Sequence, residues 1–113
     1  MRSPHQDVLL ALPTDAAERK AVPLVTGALD YFPAALAEVA RISHAGNVQH
    51  NPGGPLTWVR DKSTDHADAL VRHLLARGTV DSDGQRHTAK VAWRALALLQ
   101  EEIEADAGFE PGA

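Results

Sequence analysis

Apolar residues in this chain recur at three- and four-residue steps in three stretches and nowhere alternate at every second position, which predicts helices and no strands. The first stretch opens at Asp30-Tyr31-Phe32-Pro33. Asp30 is a candidate cap and Pro33 suits a first helical turn, while Leu36, Val39, Ala40 and Ser43 share a face and Gly46 supplies a stop. A second helix is expected after Ser63 or Thr64, with Ala67, Leu70, Val71 and Leu74 as its core stripe and Gly78 as its end. The third is expected from about Arg86 to Ala105, with Ala92, Leu96, Leu99 and Ile103 facing inward. Between Val91 and Leu99 it is apolar almost all round, as a central helix would be.

Proline and glycine punctuate the remainder. Asn47 to Thr57 reads as a loop through Asn51-Pro52 and Gly53-Gly54-Pro55, and Val80 to Gly84 as a short turn. Residues 1–29, with Pro4, Pro13 and Pro23, read as an N-terminal arm of weak local structure. Residues 30–107 form the helical domain and residues 108–113 a frayed tail. The expected fold is all-α: a small bundle of three main helices with an irregular arm. So apolar a third helix exceeds what two neighbours can cover, so homo-oligomerisation is expected to complete the bundle.

Composition narrows the setting. A chain of 113 residues without cysteine holds one modest core and neither a disulfide framework nor a thiolate metal site. No segment has a signal-peptide layout or membrane-spanning length, so a cytoplasmic protein with no membrane partner is expected. The formal net charge of −4 conceals an uneven distribution. Residues 60–94 carry seven positive and five negative side chains, whereas residues 95–113 carry five negative and none positive. Overall acidity disfavours duplex nucleic acid as a partner but leaves room for a compact anion site.

The candidate chemistry concentrates between Trp58 and Arg94. His87, Lys90 and Arg94 fall on one arc of the third helix, where cations and an imidazole can grip phosphate oxygens; a solvated basic face is the plain alternative. Asp81 and Asp83 stand at that helix's entrance, beside Arg86. On the second helix Asp65 and Asp68 are spaced to share Mg²⁺, or to act as a surface face in which Asp68 pairs with Arg72. The loop before it places Trp58 beside Arg60 and Lys62, a ring to stack on a base and two cations for phosphate. His66 and His73, with His44, His50 and His87, lack the four-residue spacing of helical zinc ligands and read as structural. Glu101 and Glu104 read as solvated residues of an acidic tail.

Gly46-Asn47, Trp58, Arg72-His73-Leu74, the acidic turn Asp81 to Gly84 and His87-Thr88-Ala89-Lys90 together give a specific pattern. From Tyr31 to Leu99 the chain resembles the phage-associated dATP/dGTP diphosphohydrolase-like family, itself distantly similar to MazG-like pyrophosphohydrolases. The resemblance implies a nucleotide ligand, carboxylates holding Mg²⁺, and pyrophosphate release at a site lined by Arg72, His73, Asp81, Asp83 and His87. The chain departs from that pattern at Gly78-Thr79, where relatives tend to have Gly-Glu, and at Lys90, where they tend to have a second histidine. Of the paired glutamates of MazG-like enzymes, only Asp65-x-x-Asp68 offers an imitation. Losing a carboxylate at Thr79 and gaining a lysine at Lys90 favours holding an anion over holding a metal.

Three functions follow as expectations. The first is a phage-type purine nucleotide binder with Mg²⁺-dependent pyrophosphohydrolysis, in which Asp81, Asp83 and His87 are catalytic and Asp65 and Asp68 hold metal. Arg60, Lys62, Arg72, His73, Arg86, Lys90 and Arg94 contact phosphate in it. The second is a non-catalytic sponge that sequesters a nucleotide immune messenger, an anti-defence role needing no metal. The third is a structural assembly protein.

Overall fold

The computed structural model describes residues 12–108; the start of the arm, with Pro4, and the tail beyond Gly108 lie outside the described residues. Among these residues there are four α-helices and no strand: α1 Ala16–Lys20, α2 Pro33–His50, α3 His66–Leu75 and α4 His87–Asp106. A π-helical turn, Val25–Leu29, follows α1, and a 3₁₀ turn, Arg60–Lys62, precedes α3. The fold is all-α, a small helical bundle. Ala34–Leu99 forms one compact unit, and the described residues before and after it form another.

The described part of the arm, residues 12–29, holds more helix than its prolines predict. Asp15 caps α1 by accepting the Glu18 N–H at 3.0 Å, and Arg19 and Lys20 in the last turn suit the negative end of the helix dipole. Asp30 does not cap α2; it closes the π-helical turn, donating its N–H to Val25 O at 2.8 Å. Pro33 opens α2, as its fixed φ favours.

α2 passes through Gly46 and stops at His50. The stop comes from Asn51-Pro52, because a residue before proline is driven out of the helical region and proline offers no N–H. Two asparagines then tie the loop down. Asn47 Nδ2 donates to Gly54 O at 3.2 Å, and Asn51 Nδ2 to Pro55 O at 3.2 Å and to Asn47 Oδ1 at 3.4 Å. A Cβ on Gly54 would run into the Asn51 side chain, so a glycine is needed for this close approach.

The larger correction concerns which faces are buried. On α3 the buried residues are His66 and Ala69, while Val71 and Leu74 of the expected stripe are exposed. On α4 the buried positions are Ala89, Ala97 and Glu104, and the expected stripe of Leu96, Leu99 and Ile103 faces outward. Leu99 is 54% exposed and Glu104 0%. The fully buried apolar side chains among the described residues are all alanines, Ala69, Ala89 and Ala97. Helical periodicity is preserved, but the inward arc is the small and polar one. In Ala34–Leu99 the half-buried Trp58, Trp93 and Arg94 gather around the buried His66. Glu101 and Glu104, expected in solvent, lie on the continuation of the same arc. Glu104 accepts from Gln100 Nε2 at 3.0 Å, and both glutamates are engaged.

Candidate functional site

The link between α3 and α4 sets up the chemistry of Ala34–Leu99. Gly78 and Gly84 both have φ of +83°, a conformation that strains any residue with a Cβ, and they bracket a tight return of the chain. Val80 and Arg86 form an isolated antiparallel bridge, with Asp81 N–H donating to Gln85 O at 2.8 Å and His87 N–H to Thr79 O at 3.1 Å. Each aspartate of the turn uses one oxygen locally: Asp81 Oδ1 accepts from Ser82 N–H at 2.7 Å, and Asp83 Oδ1 from Gln85 N–H at 3.0 Å. The other oxygens are thereby aimed together. Lys90 Nζ, one helical turn beyond His87, donates to Asp81 Oδ2 at 2.7 Å and to Asp83 Oδ2 at 2.8 Å.

The electrostatics follow from this geometry. The Lys90 hydrogen bond, with that of Ser82 N–H, holds the Asp81 carboxyl down to about 2, and the same lysine with Gln85 N–H lowers Asp83. Partial burial opposes the Lys90 charge, but the bonds to Asp81 and Asp83 outweigh it and raise its pKa. Beside this trio the imidazoles of His73 and His87 meet, Nδ1 to Nδ1 at 2.9 Å, with ring centroids 5.1 Å apart. One must donate and the other accept. His87 Nδ1 also lies 3.9 Å from Asp81 Oδ2. Burial, then the charge of Lys90, lower the His73 pKa, and Arg94 adds to the effect.

One turn further along α4 the inward residues are aromatic and cationic. Trp58, His66 and Trp93 pack edge-on and tilted, with centroid separations of 5.8–6.5 Å. Trp93 Nε1 donates to Ser43 Oγ at 2.9 Å, joining α4 to α2. Arg94 donates to the Ser63 hydroxyl and to His66 Nδ1, the latter at 2.8 Å. An arginine cannot accept, so His66 Nδ1 carries no proton. Arg60 lies 4.0 Å above the Trp58 ring, covering one face of the indole expected to stack on a base.

The expected site residues therefore separate into groups. His73, Asp81, Asp83, His87 and Lys90 come together, and the Arg94 charge reaches His73. Trp58, Arg60, His66 and Arg94 form the neighbouring ring-and-cation cluster. Arg72 turns outward to Asp65 Oδ2 at 3.0 Å, and Asp65 also accepts from Ser63 Oγ at 2.9 Å, so the expected Asp68–Arg72 pair gives way to Asp65–Arg72. The Arg72 bond, with that of Ser63, lowers the Asp65 pKa. Asp68, Lys62 and Arg86 are exposed.

The model of the dATP/dGTP diphosphohydrolase, N-terminal family matches residues 12–109. The chain belongs to this family. Among curated proteins and solved structures, none matches it. Within this dATP/dGTP diphosphohydrolase N-terminal domain, the quartet Asp81, Asp83, His87 and Lys90 occupies one end of the α3–α4 pair, and His73 reaches it from the last turn of α3. His66, read as structural, is 4% exposed, packs against Trp58 and Trp93 and accepts from Arg94. The family resemblance sets His73 and His87 in one site, but their direct Nδ1–Nδ1 contact joins residues 14 apart across a turn, which spacing within a single helix does not give. The available signal was a histidine at the end of one helix and another at the start of the next, joined by a turn with glycines at both ends.

Proposed function

We propose that this domain binds a purine nucleotide, deoxy or ribo, through its phosphates at the α3–α4 turn. The observation that carries the reading is that two carboxylate oxygens, Asp81 Oδ2 and Asp83 Oδ2, converge on one cation position, with the imidazoles of His73 and His87 alongside. The family's name supplies the nucleotide class. Lys90 and Arg94 lie on the same inward arc of α4 and provide the charge that phosphate oxygens require. Trp58, once Arg60 swings off its face, offers the indole to the base.

Pyrophosphohydrolysis is the reaction this binding serves. Water adds to the α-phosphorus and the bond to the oxygen bridging the β-phosphate breaks. A nucleoside monophosphate and pyrophosphate leave. His87 takes the proton from water, and Lys90, moving from its carboxylates to the phosphate, neutralises charge on the leaving group. Mg²⁺ suits the oxygen donors of Asp81 and Asp83 better than the Asp65–Asp68 pair, since Asp65 is committed to Arg72 and Ser63; when bound it supplies further charge to the leaving pyrophosphate.

A specific observation favours a second reading, a binder that cuts nothing and serves as a nucleotide sponge. The Lys90 ammonium already fills the position where the two carboxylates converge, as a metal would. Pyrophosphate release from dGTP or dATP that requires Mg²⁺ and is lost in Asp83→Ala supports hydrolysis. Retention of intact nucleotide in EDTA, lost in Lys90→Ala, supports the sponge. The outward Leu96 and Leu99 of α4, with Val71, Leu74 and Leu75 of α3, support self-association in either case. No helix among the described residues is long and apolar enough to cross a membrane.

A further inference from the structure

We propose that His73, Asp81 and His87 form a site for a first-row transition-metal ion such as Zn²⁺, distinct in donor chemistry from the Mg²⁺ that the hydrolytic reading invokes. One ligand atom from each of these three residues lies within 4.8 Å of the others, and among the described residues they are the group of histidines and carboxylates so arranged. All three are half-buried. The site shares Asp81 and His87 with the hydrolytic reading, but it does not rest on nucleotide binding and is tested with metal alone.

The geometry supports it in three ways. First, the His73 and His87 Nδ1 atoms are 2.9 Å apart. Two nitrogens each about 2.1 Å from one ion are separated by about 3.0 Å at right angles and about 3.4 Å at a tetrahedral angle. A metal would thus replace the single proton the imidazoles now share, each ring turning so that its Nδ1 lone pair aims at the ion instead of at the other nitrogen. Asp81 Oδ2, 3.9 Å from His87 Nδ1, closes on the ion by rotating its carboxylate.

Second, the backbone brings the three ligands to one place, in addition to the contact between the two imidazoles. Asp81 and His87 sit on opposite sides of the turn fixed by Asp81 N–H to Gln85 O and His87 N–H to Thr79 O, and His73 is held in the last turn of α3. Third, the donor set discriminates. Two imidazole nitrogens and one carboxylate match zinc and neighbouring ions and leave coordination positions for water or a phosphate oxygen, whereas Mg²⁺ prefers oxygen throughout. Lys90 is the resident competitor, since its ammonium sits 2.7 Å from the Asp81 oxygen that the ion needs.

Co²⁺ serves as the probe because its visible absorption reports coordination. The full chain, stripped with EDTA and desalted, is titrated with CoCl₂ alone and then with ZnCl₂ in competition. The expected result is a visible band saturating at one Co²⁺ per chain and abolished by Zn²⁺. His73→Asn and His87→Asn each weaken binding by at least about 100-fold, since each removes a direct ligand where even supporting residues carry up to that factor. His44→Asn, on an exposed helix position outside the cluster, leaves it unchanged. Lys90→Met tightens binding by removing the competing charge, an outcome that cannot arise from misfolding. Circular dichroism in EDTA confirms that each variant is helical. Absence of a band in the wild-type chain, binding that survives His73→Asn with His87→Asn, or weaker binding in Lys90→Met would each overturn the proposal.

Discussion

Lys90 is the residue on which the local electrostatics turn. Its two carboxylate partners have lowered pKa values, Asp81 to about 2, while its own is raised. A carboxylate with a depressed folded-state pKa stabilises the fold above its unfolded value near 3.8, and that contribution is lost as pH falls through the folded value. A lysine with a raised pKa stabilises below 10.5 and loses its contribution as pH rises beyond it. In EDTA, the stability gap between wild type and Lys90→Met measured by urea denaturation should therefore be flat from about pH 7 to 9, narrow somewhat as pH falls through the range of His73, whose pKa the Lys90 charge also lowers, and narrow again below about pH 4. A gap unchanged at pH 2.5 contradicts the pairing. A second residue-scale prediction concerns Gly54. A methyl group there meets the Asn51 amide, whose hydrogen bonds hold the loop, so Gly54→Ala should cost about 1–2 kcal/mol in denaturant unfolding.

Helices, at the scale of the element, were largely legible and their facing was not. Pro33, Gly78 and the acidic turn mark real boundaries because they act through backbone conformation, which is local. Gly46 misled, since nothing forces a helical glycine to end a helix when no Cβ is missed there; the Asn51-Pro52 pair supplies the stop. Facing depends on partners far away in sequence. The stripe of Leu96 and Leu99 has the right period, but Ala34–Leu99 fills its interior with Trp58, His66, Trp93 and Arg94, and no local rule foretells that choice. The site was legible in the same partial way. Asp81, Asp83, His87 and Lys90 could be read from one short segment and His73 from the family resemblance, whereas the direct contact of His73 with His87 needed the turn geometry. The link between α4 and α2 gives a direct check at this scale. Ser43→Ala removes the acceptor of Trp93 Nε1 and should cost about 1 kcal/mol, while Ser43→Thr, which keeps the hydroxyl, should cost less.

At the scale of the molecule, the buried apolar side chains among the described residues are alanines, while leucines are exposed. Leu96 and Leu99 of α4 and Leu75 of α3, the last 77% exposed, are apolar surface that association would remove from water. Light scattering behind size exclusion should show a mass above that of one 12.1 kDa chain, and Leu96→Glu with Leu99→Glu should lower it. A wild-type monomer at high micromolar concentration sinks the self-association reading without touching the site. The central claim, nucleotide binding at the α3–α4 turn, is tested most directly by thermal unfolding across a panel of purine and pyrimidine nucleotides, with Mg²⁺ and with EDTA. A ligand bound only by the folded state and present at about 100 times its Kd stabilises by about 2.7 kcal/mol, a shift of many degrees for a domain of this size. The predicted result is a rise in Tm with dGTP or dATP that is lost in Lys90→Ala. No shift with any nucleotide, or an equal shift in Lys90→Ala, contradicts the claim.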